Sequence, residues 1–165
     1  MVETRLPAHA RVWIYTAGRA LSPEESTRLM AAGQEFVAGW NAHGIGLMAE
    51  FYLLHGHFVI LAVNEEVAQA SGCSIDKSVQ FIRRMEQEMG ISLTNRLNIP
   101  LWDGNRVSLV PLAELEARIG QGEVSPGQLF FDHTGVTTLD QLQHSWIKPL
   151  ESSWLNRYFP KTASF

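Results

Sequence analysis

A chain of 165 residues, 45% apolar and 18% charged, is long enough to bury a core of its own and too apolar to stay disordered. Its 13 basic and 17 acidic side chains leave a net charge of -4 with no basic stripe, which argues against affinity drawn from nucleic-acid phosphates but leaves room for a small anion held locally. The longest apolar run, Phe58 to Val63, is too short for a bilayer, no basic-then-apolar leader is present, and the single cysteine, Cys73, lacks an internal disulfide partner, so a cytoplasmic protein with no membrane or nucleic-acid partner is expected.

In chain order, RVWIY (Arg11 to Tyr15) is β-branched and aromatic and reads as a first strand. Ser22, Pro23 and Glu25 then open a helix as cap, first helical residue and capping-box acid, and Leu29, Gly33, Phe36, Val37 and Trp40 mark its inner face. LMAEFYLL and FVILAV follow as a hairpin around His55-Gly56-His57, and the second strand is apolar throughout, as expected of a strand covered on both faces. A second helix carries Ile75, Val79, Ile82, Met85 and Met89 at helical spacing and ends at Gly90.

With SLTNRLNI as a further strand, the order becomes β-α-β-β-α-β, a ferredoxin-like core over residues 11–100 with a mixed or antiparallel sheet. The expected class is therefore α/β in the broad sense (α+β), one domain in which a C-terminal α/β extension, 101–165, packs on that core. The fully apolar strand needs its second face covered, by the extension or by a second subunit. WDGN (Trp102 to Asn105) reads as a hairpin turn into RVSLV. A short helix LAELEARI after Pro111, a strand QLFF and a helix opened by Thr137 with Asp140 come next, and Leu150, Trp154 and Tyr158 line one side of a last helical stretch.

The stretch QASGCSIDKSVQFI, Gln69 to Ile82, invites a chemical reading. Backbone N–H groups at a helix start attract anions, and glycine lets an anion approach. Against the phosphate-loop pattern G-x-x-x-x-G-K-[ST], Lys77 and Ser78 fall in place, but the glycine positions hold Ser71 and Asp76, and the Asp76 carboxylate stands where a phosphate would rest. A Walker site fails here. The plainer reading is a helix start, with Ser74 as cap and Asp76 favoured by the helix dipole. An anion site of another kind would use Ser71, Gly72, Ser74, Asp76, Lys77 and Ser78.

Cys73 has two readings: a thiolate favoured by the helix N-terminus and by Lys77, with His43, His55, His57, His133 or His144 as its base, or a small buried hydrophobe. His55 and His57 lack the further ligands a metal needs, so no metal site is expected and the pair reads as solvated turn residues. Arg96 and Asn98 project from one face of the expected strand. Arg96 suits a carboxylate or phosphate, or an ion pair with Asp76 or Asp103. The five tryptophans are many for this length, and Trp146, Leu150 and Trp154 form a stripe that fits core, subunit or partner contact.

The runs FVILAVNEE, SGCSIDKSVQFI and RLN, with the closing W-x-x-P-L-x-x-S-W (Trp146, Pro149, Leu150, Ser153, Trp154), resemble a family of short, uncharacterised bacterial proteins often labelled ABC transporter ATPase. The similarity spans most of the chain, from about Arg11 to Arg157. The ATPase label does not carry over, because this chain has neither an intact Walker A motif nor a strand ending in a Walker B aspartate.

Three functions compete on the sequence. The first is a protein that holds a small anionic metabolite, with or without catalysis, between the Ser71–Ser78 loop and Arg96 with Asn98. The second is a non-catalytic interaction module, for example a homodimer, using the tryptophan-rich tail. The third is an enzyme with Cys73 as its catalytic nucleophile. No cofactor is specified by any motif.

Overall fold

The computed structural model describes residues 2–161. The elements are β1 (Arg11–Thr16), α1 (Pro23–Gly39), a two-residue pair β2 (Asn41–Ala42) and β3 (Ile45–Gly46), β4 (Met48–Leu54), β5 (Phe58–Asn64), α2 (Gly72–Met89), β6 (Asn98–Trp102), β7 (Val107–Pro111), α3 (Leu112–Gly120), β8 (Leu129–Phe131), α4 (Leu139–His144) and β9 (Ile147–Pro149). Two 3-10 turns, Leu150–Ser152 and Trp154–Tyr158, follow. Helices mixed with antiparallel sheets make this an α+β protein.

Local chemistry explains most boundaries. Ser22 caps α1 by accepting from the Glu25 N–H at 3.1 Å, while the Glu25 carboxylate turns to Arg19 at 2.9 Å instead of completing the capping box. The cap of α2 is Ser71, not Ser74. Ser71 accepts from the Ser74 N–H and the Ser74 hydroxyl returns to the Ser71 N–H, so the expected cap residue serves as the second half of a reciprocal box. Gly90 closes α2 at φ 63°, a left-handed geometry that suits glycine. Likewise α4 is capped by Thr138 with Gln141, one residue beyond the expected Thr137 and Asp140, because the Gln141 amide oxygen reaches back to the Thr138 N–H.

The first sheet has the order β1-β5-β4, antiparallel throughout, and central β5 is buried at every position. Val59 and Leu61 face Leu29, Phe81, Ile82 and Met85 of the two long helices. Phe58, Ile60 and Ala62 face Val107, Phe131, Leu139 and Trp146. The C-terminal half thus covers the face that a bare ferredoxin-like sheet would leave open.

The expected ferredoxin-like topology is met in three strands only. A fourth strand of a ferredoxin-like sheet would lie beside β1; here it joins a second sheet of order β7-β6-β8-β9. The strand also starts late: Ser92–Leu97 is loop, and β6 begins at Asn98. β7 takes one edge of β6, as the WDGN turn leads one to expect, and β8 takes the other, the edge that a ferredoxin-like sheet would turn to β1. β6 lies along β7 over its whole length, and the Asp103 carboxylate fixes the turn by accepting from the Asn105 and Arg106 N–H groups at 2.8 and 2.6 Å. Beside β1 a lane is left. It is closed at one end where the Val12 N–H donates to the Thr137 carbonyl at 2.9 Å, and at the other where the Gly18 N–H donates to the Ser92 carbonyl at 2.8 Å.

Candidate ligand-binding cleft

Between these two closures lies a cleft of about 630 Å³. Five consecutive residues of β1, Val12 to Thr16, line it. Side chains on a strand alternate between faces, so a run of five shows that the strand presents its edge to the cleft. The other walls come from the third and fourth turns of α2 through Val79 and Arg83, from Leu93 to Arg96 and Asn98 to Pro100, from Phe130 to Thr134, from Val136 and Thr137, and from Trp154. Trp154 is 42% exposed, unlike the buried Trp40 and Trp146.

Arg83 and Arg96 both line the cleft, and among the described residues neither forms an ion pair. The expected pairing of Arg96 with Asp76 or Asp103 is not made, because the Asp103 carboxylate is taken by its own turn and Asp76 stands exposed on α2. Arg96 is instead held toward the cleft by its loop. Glu86 of α2 accepts from the Leu93 N–H at 2.7 Å and the Thr94 N–H at 3.1 Å, and the Asn95 amide oxygen accepts from the Leu97 N–H at 2.9 Å. The one carboxylate in the wall, the buried Asp132, is balanced by Lys148 at 3.5 Å. The cleft therefore carries net positive charge inside an acidic protein.

At the far end of β1, Thr16 Oγ1 lies 2.7 Å from His133 Nε2, and the Trp146 indole N–H donates to His133 Nδ1 at 2.9 Å. An indole N–H can only donate, so Nδ1 must carry a lone pair and the proton of the neutral ring sits on Nε2. Burial pushes this imidazole down to about 4, with Asp132 opposing and Arg96 adding to the fall. His133 therefore donates to Thr16, and the Thr16 hydroxyl proton is left to meet an acceptor in the cleft. The same geometry rules out a Thr-His nucleophile: a base would have to accept the Thr16 proton at Nε2, which is already protonated. Burial raises the Tyr15 phenol, with the Ser78 hydroxyl and Arg96 pulling the other way.

Of the residues singled out in the sequence, Arg96 and Asn98 line this cleft, while Ser71, Gly72, Ser74, Asp76 and Lys77 lie outside its walls. Ser74 is buried, its hydroxyl donating to the Asn41 carbonyl at 2.8 Å and its own carbonyl accepting from Trp40 Nε1 at 2.8 Å. Ser78 is buried under the cleft beside Tyr15 and donates to the Ile75 carbonyl at 2.6 Å. The structure does not bring the helix start and Arg96 into one pocket.

Cys73 is exposed, against the expectation of a packed thiol, because it sits on the outer side of the first turn of α2. His133 is engaged with Thr16 and Trp146, His57 with the His55 carbonyl, and His144 with Asp140. Of the hairpin histidines only His57 departs from the expected solvated turn: it is buried, whereas His55 is exposed, with one side of its ring against Trp102 and Phe131, where partial burial lowers its affinity for a proton. Among the described residues no cluster of three metal-ligating side chains occurs.

Thr16 and Arg83 were not legible as site residues, and His133 stood only as one of five candidate bases for Cys73. Arg83 reads as an ordinary solvated helix position, and Thr16 and His133 are more than a hundred residues apart in sequence.

No family model, curated protein or solved structure matches the chain. The functional reading therefore rests on the cleft.

Proposed function

We propose that the protein binds a small anionic ligand in the cleft beside β1. The observation that carries this reading is the presence of two guanidinium groups, Arg83 and Arg96, in one concave site without a carboxylate to neutralise them. Guanidinium donors match carboxylate and phosphate geometry in pairs. The Thr16 hydroxyl, its orientation set through His133, and the Asn98 side chain add polar contacts beside apolar walls from Ile99, Phe130 and Val136. A pocket with a mostly apolar lining and a few convergent polar groups is the usual form of a small-molecule site. The reading is a binding one, since the Thr16–His133–Trp146 chain locks the tautomer that cannot act as a base.

The test is a thermal-shift panel of carboxylated and phosphorylated metabolites on the native chain, followed by the same hits on variants. Arg96→Ala should weaken a hit about 10- to 100-fold, the loss expected for one charged hydrogen-bonding partner. Lys77→Ala, which changes a residue outside the cleft, should leave binding unchanged. A panel in which every hit survives Arg96→Ala and Arg83→Ala would sink the proposal.

A further inference from the structure

The wall of the cleft made by β1 is a strand edge, and the phase of its ladder says which groups it shows. The Ala17 N–H donates back into the β4–β5 hairpin, to the His57 carbonyl, while the Val12 N–H donates outward to Thr137. Odd-numbered residues of β1 therefore bond to β5, and the backbone N–H and C=O groups of Ile14 and Thr16 point into the lane. Among the described residues these N–H groups have no backbone partner.

Across the cleft β6 splays away from β8. The two pair only at Leu101↔Phe130 and Trp102↔Leu129, which leaves Asn98 and Pro100 facing the same space. Proline has no N–H, so that edge offers an incomplete ladder and β1 a complete one.

We propose that the lane receives the C-terminal end of an extended peptide, about four residues long, which adds to β1 at Ile14 and Thr16 as a strand and delivers its terminal carboxylate to Arg96. This rests on the anion reading of the same cleft and names the ligand class. The length follows from the closures at Val12 and Gly18, which leave five residues of edge between them, or about 16 Å of extended chain. A continuous strand of another protein, or of a second copy, would run into the Thr137 and Ser92 carbonyls. A chain that ends inside the lane avoids the Ser92 carbonyl, and its upstream residues need only turn away from β1 before the Thr137 carbonyl.

The charge sets the direction. The Ser92 carbonyl, which closes the lane at Gly18, opens the loop that carries Arg96, so the positive end of the lane is the Thr16 end, in keeping with the reach of the Arg96 charge to Tyr15 and His133. A C-terminal carboxylate there requires the added strand to run parallel to β1. Main-chain bonds to Ile14 and Thr16 would supply affinity for any sequence, and alternate side chains would meet Val79 and Leu93 on one face and Ile99, Phe130 and Val136 on the other.

The test varies the ligand on the native chain and uses one variant, Arg96→Ala, at an exposed loop position. N-acetylated tetrapeptides randomised at all four positions, ending in a free carboxylate, are titrated while the amide resonances of Ile14 and Thr16 and the heat of binding are followed. One matched pool ends in a carboxamide and another is N-methylated at its backbone amides. The free-acid pool should shift both resonances, and each matched pool should bind about 10-fold more weakly.

Equal binding of the free-acid and N-methylated pools, abolished by Arg96→Ala, would overturn strand addition and leave the anion reading standing. Equal binding of acid and carboxamide, indifferent to Arg96→Ala, would overturn the carboxylate's role and the anion reading with it. If no pool moves Ile14 or Thr16, the peptide is the wrong ligand, and citrate on the same sample then decides whether the cleft takes an anion at all.

Discussion

One indole N–H, that of Trp146, decides how His133 behaves when the pH falls. Protonating the ring requires Nδ1 to accept a proton where it now accepts a hydrogen bond, in a buried site already facing Arg96. The folded ring titrates at about 4, below its ordinary value of 6.5. Between those values the unfolded chain binds the extra proton and the folded chain does not. Stability from this group is therefore complete above about 6.5 and is lost as the pH falls toward 4, with a slope of at most about 1.4 kcal/mol per pH unit. Urea titrations of the native protein and His133→Gln over that range should show the slope shrinking in the variant; identical slopes would place the effect elsewhere. Cys73 makes a simpler case. Its exposure predicts alkylation by iodoacetamide without unfolding, and a Cys73→Ser variant within about 0.5 kcal/mol of the native stability. Of the two readings of the thiol, the packed one fails because burial statistics describe cysteines in general, whereas a position on the outer side of a first helical turn is set by the cap at Ser71.

Gly33 shows how one element is fitted to another. Helix propensity favours Ala over Gly by about 1 kcal/mol in a helix interior. Here a Cβ would stand 2.4 Å from the Phe51 ring of β4, so α1 would have to lift from the sheet or the ring would have to turn. Overpacking of this kind costs about 1–3 kcal/mol, and Gly33→Ala should be net destabilising in a denaturant titration; a gain in stability would show that α1 floats on the sheet. The elements themselves were largely readable. The 3.6-residue spacing of α1 and α2, the hairpin of β4 and β5 around His55-Gly56-His57, the uninterrupted apolar run of β5 and the Asp103-Gly104 turn were each visible in a few neighbouring residues. The second partner of β6 was not. The Asp103-Gly104 turn announces β7 on one edge of Asn98–Trp102, but the other edge can pair with β1 or with β8, and that choice depends on Leu129 and Phe130, far along the chain. That choice also created the cleft, so the candidate site was legible only at Arg96 and Asn98, while Thr16, Arg83 and His133 meet through the pairing that the sequence left undetermined.

At the scale of the molecule, the first sheet depends on the second. Phe58, Ile60 and Ala62 form a face whose cover comes from Val107, Phe131, Leu139, Trp146 and their neighbours, and Phe58, Phe131 and Trp146 stack around one another with ring centroids 4.6 to 4.8 Å apart. A fragment ending at Leu97 would leave that face to solvent. It should bind a hydrophobic dye and unfold without a sharp urea transition, and a sharp one would mean that the first sheet is self-sufficient. Trp154 carries a different kind of consequence. Trp40 and Trp146 are buried with their N–H groups bonded, whereas Trp154 lies open on the cleft wall with the Arg157 guanidinium 5.7 Å from its ring. Iodide should quench its emission most and spare that of the two buried rings, with the half-buried Trp13 and Trp102 between them, so the protein's own fluorescence divides into a reachable fraction led by Trp154 and a shielded one. Whatever fills the cleft will shrink the reachable fraction, and the molecule thus carries a built-in optical gauge of its own occupancy.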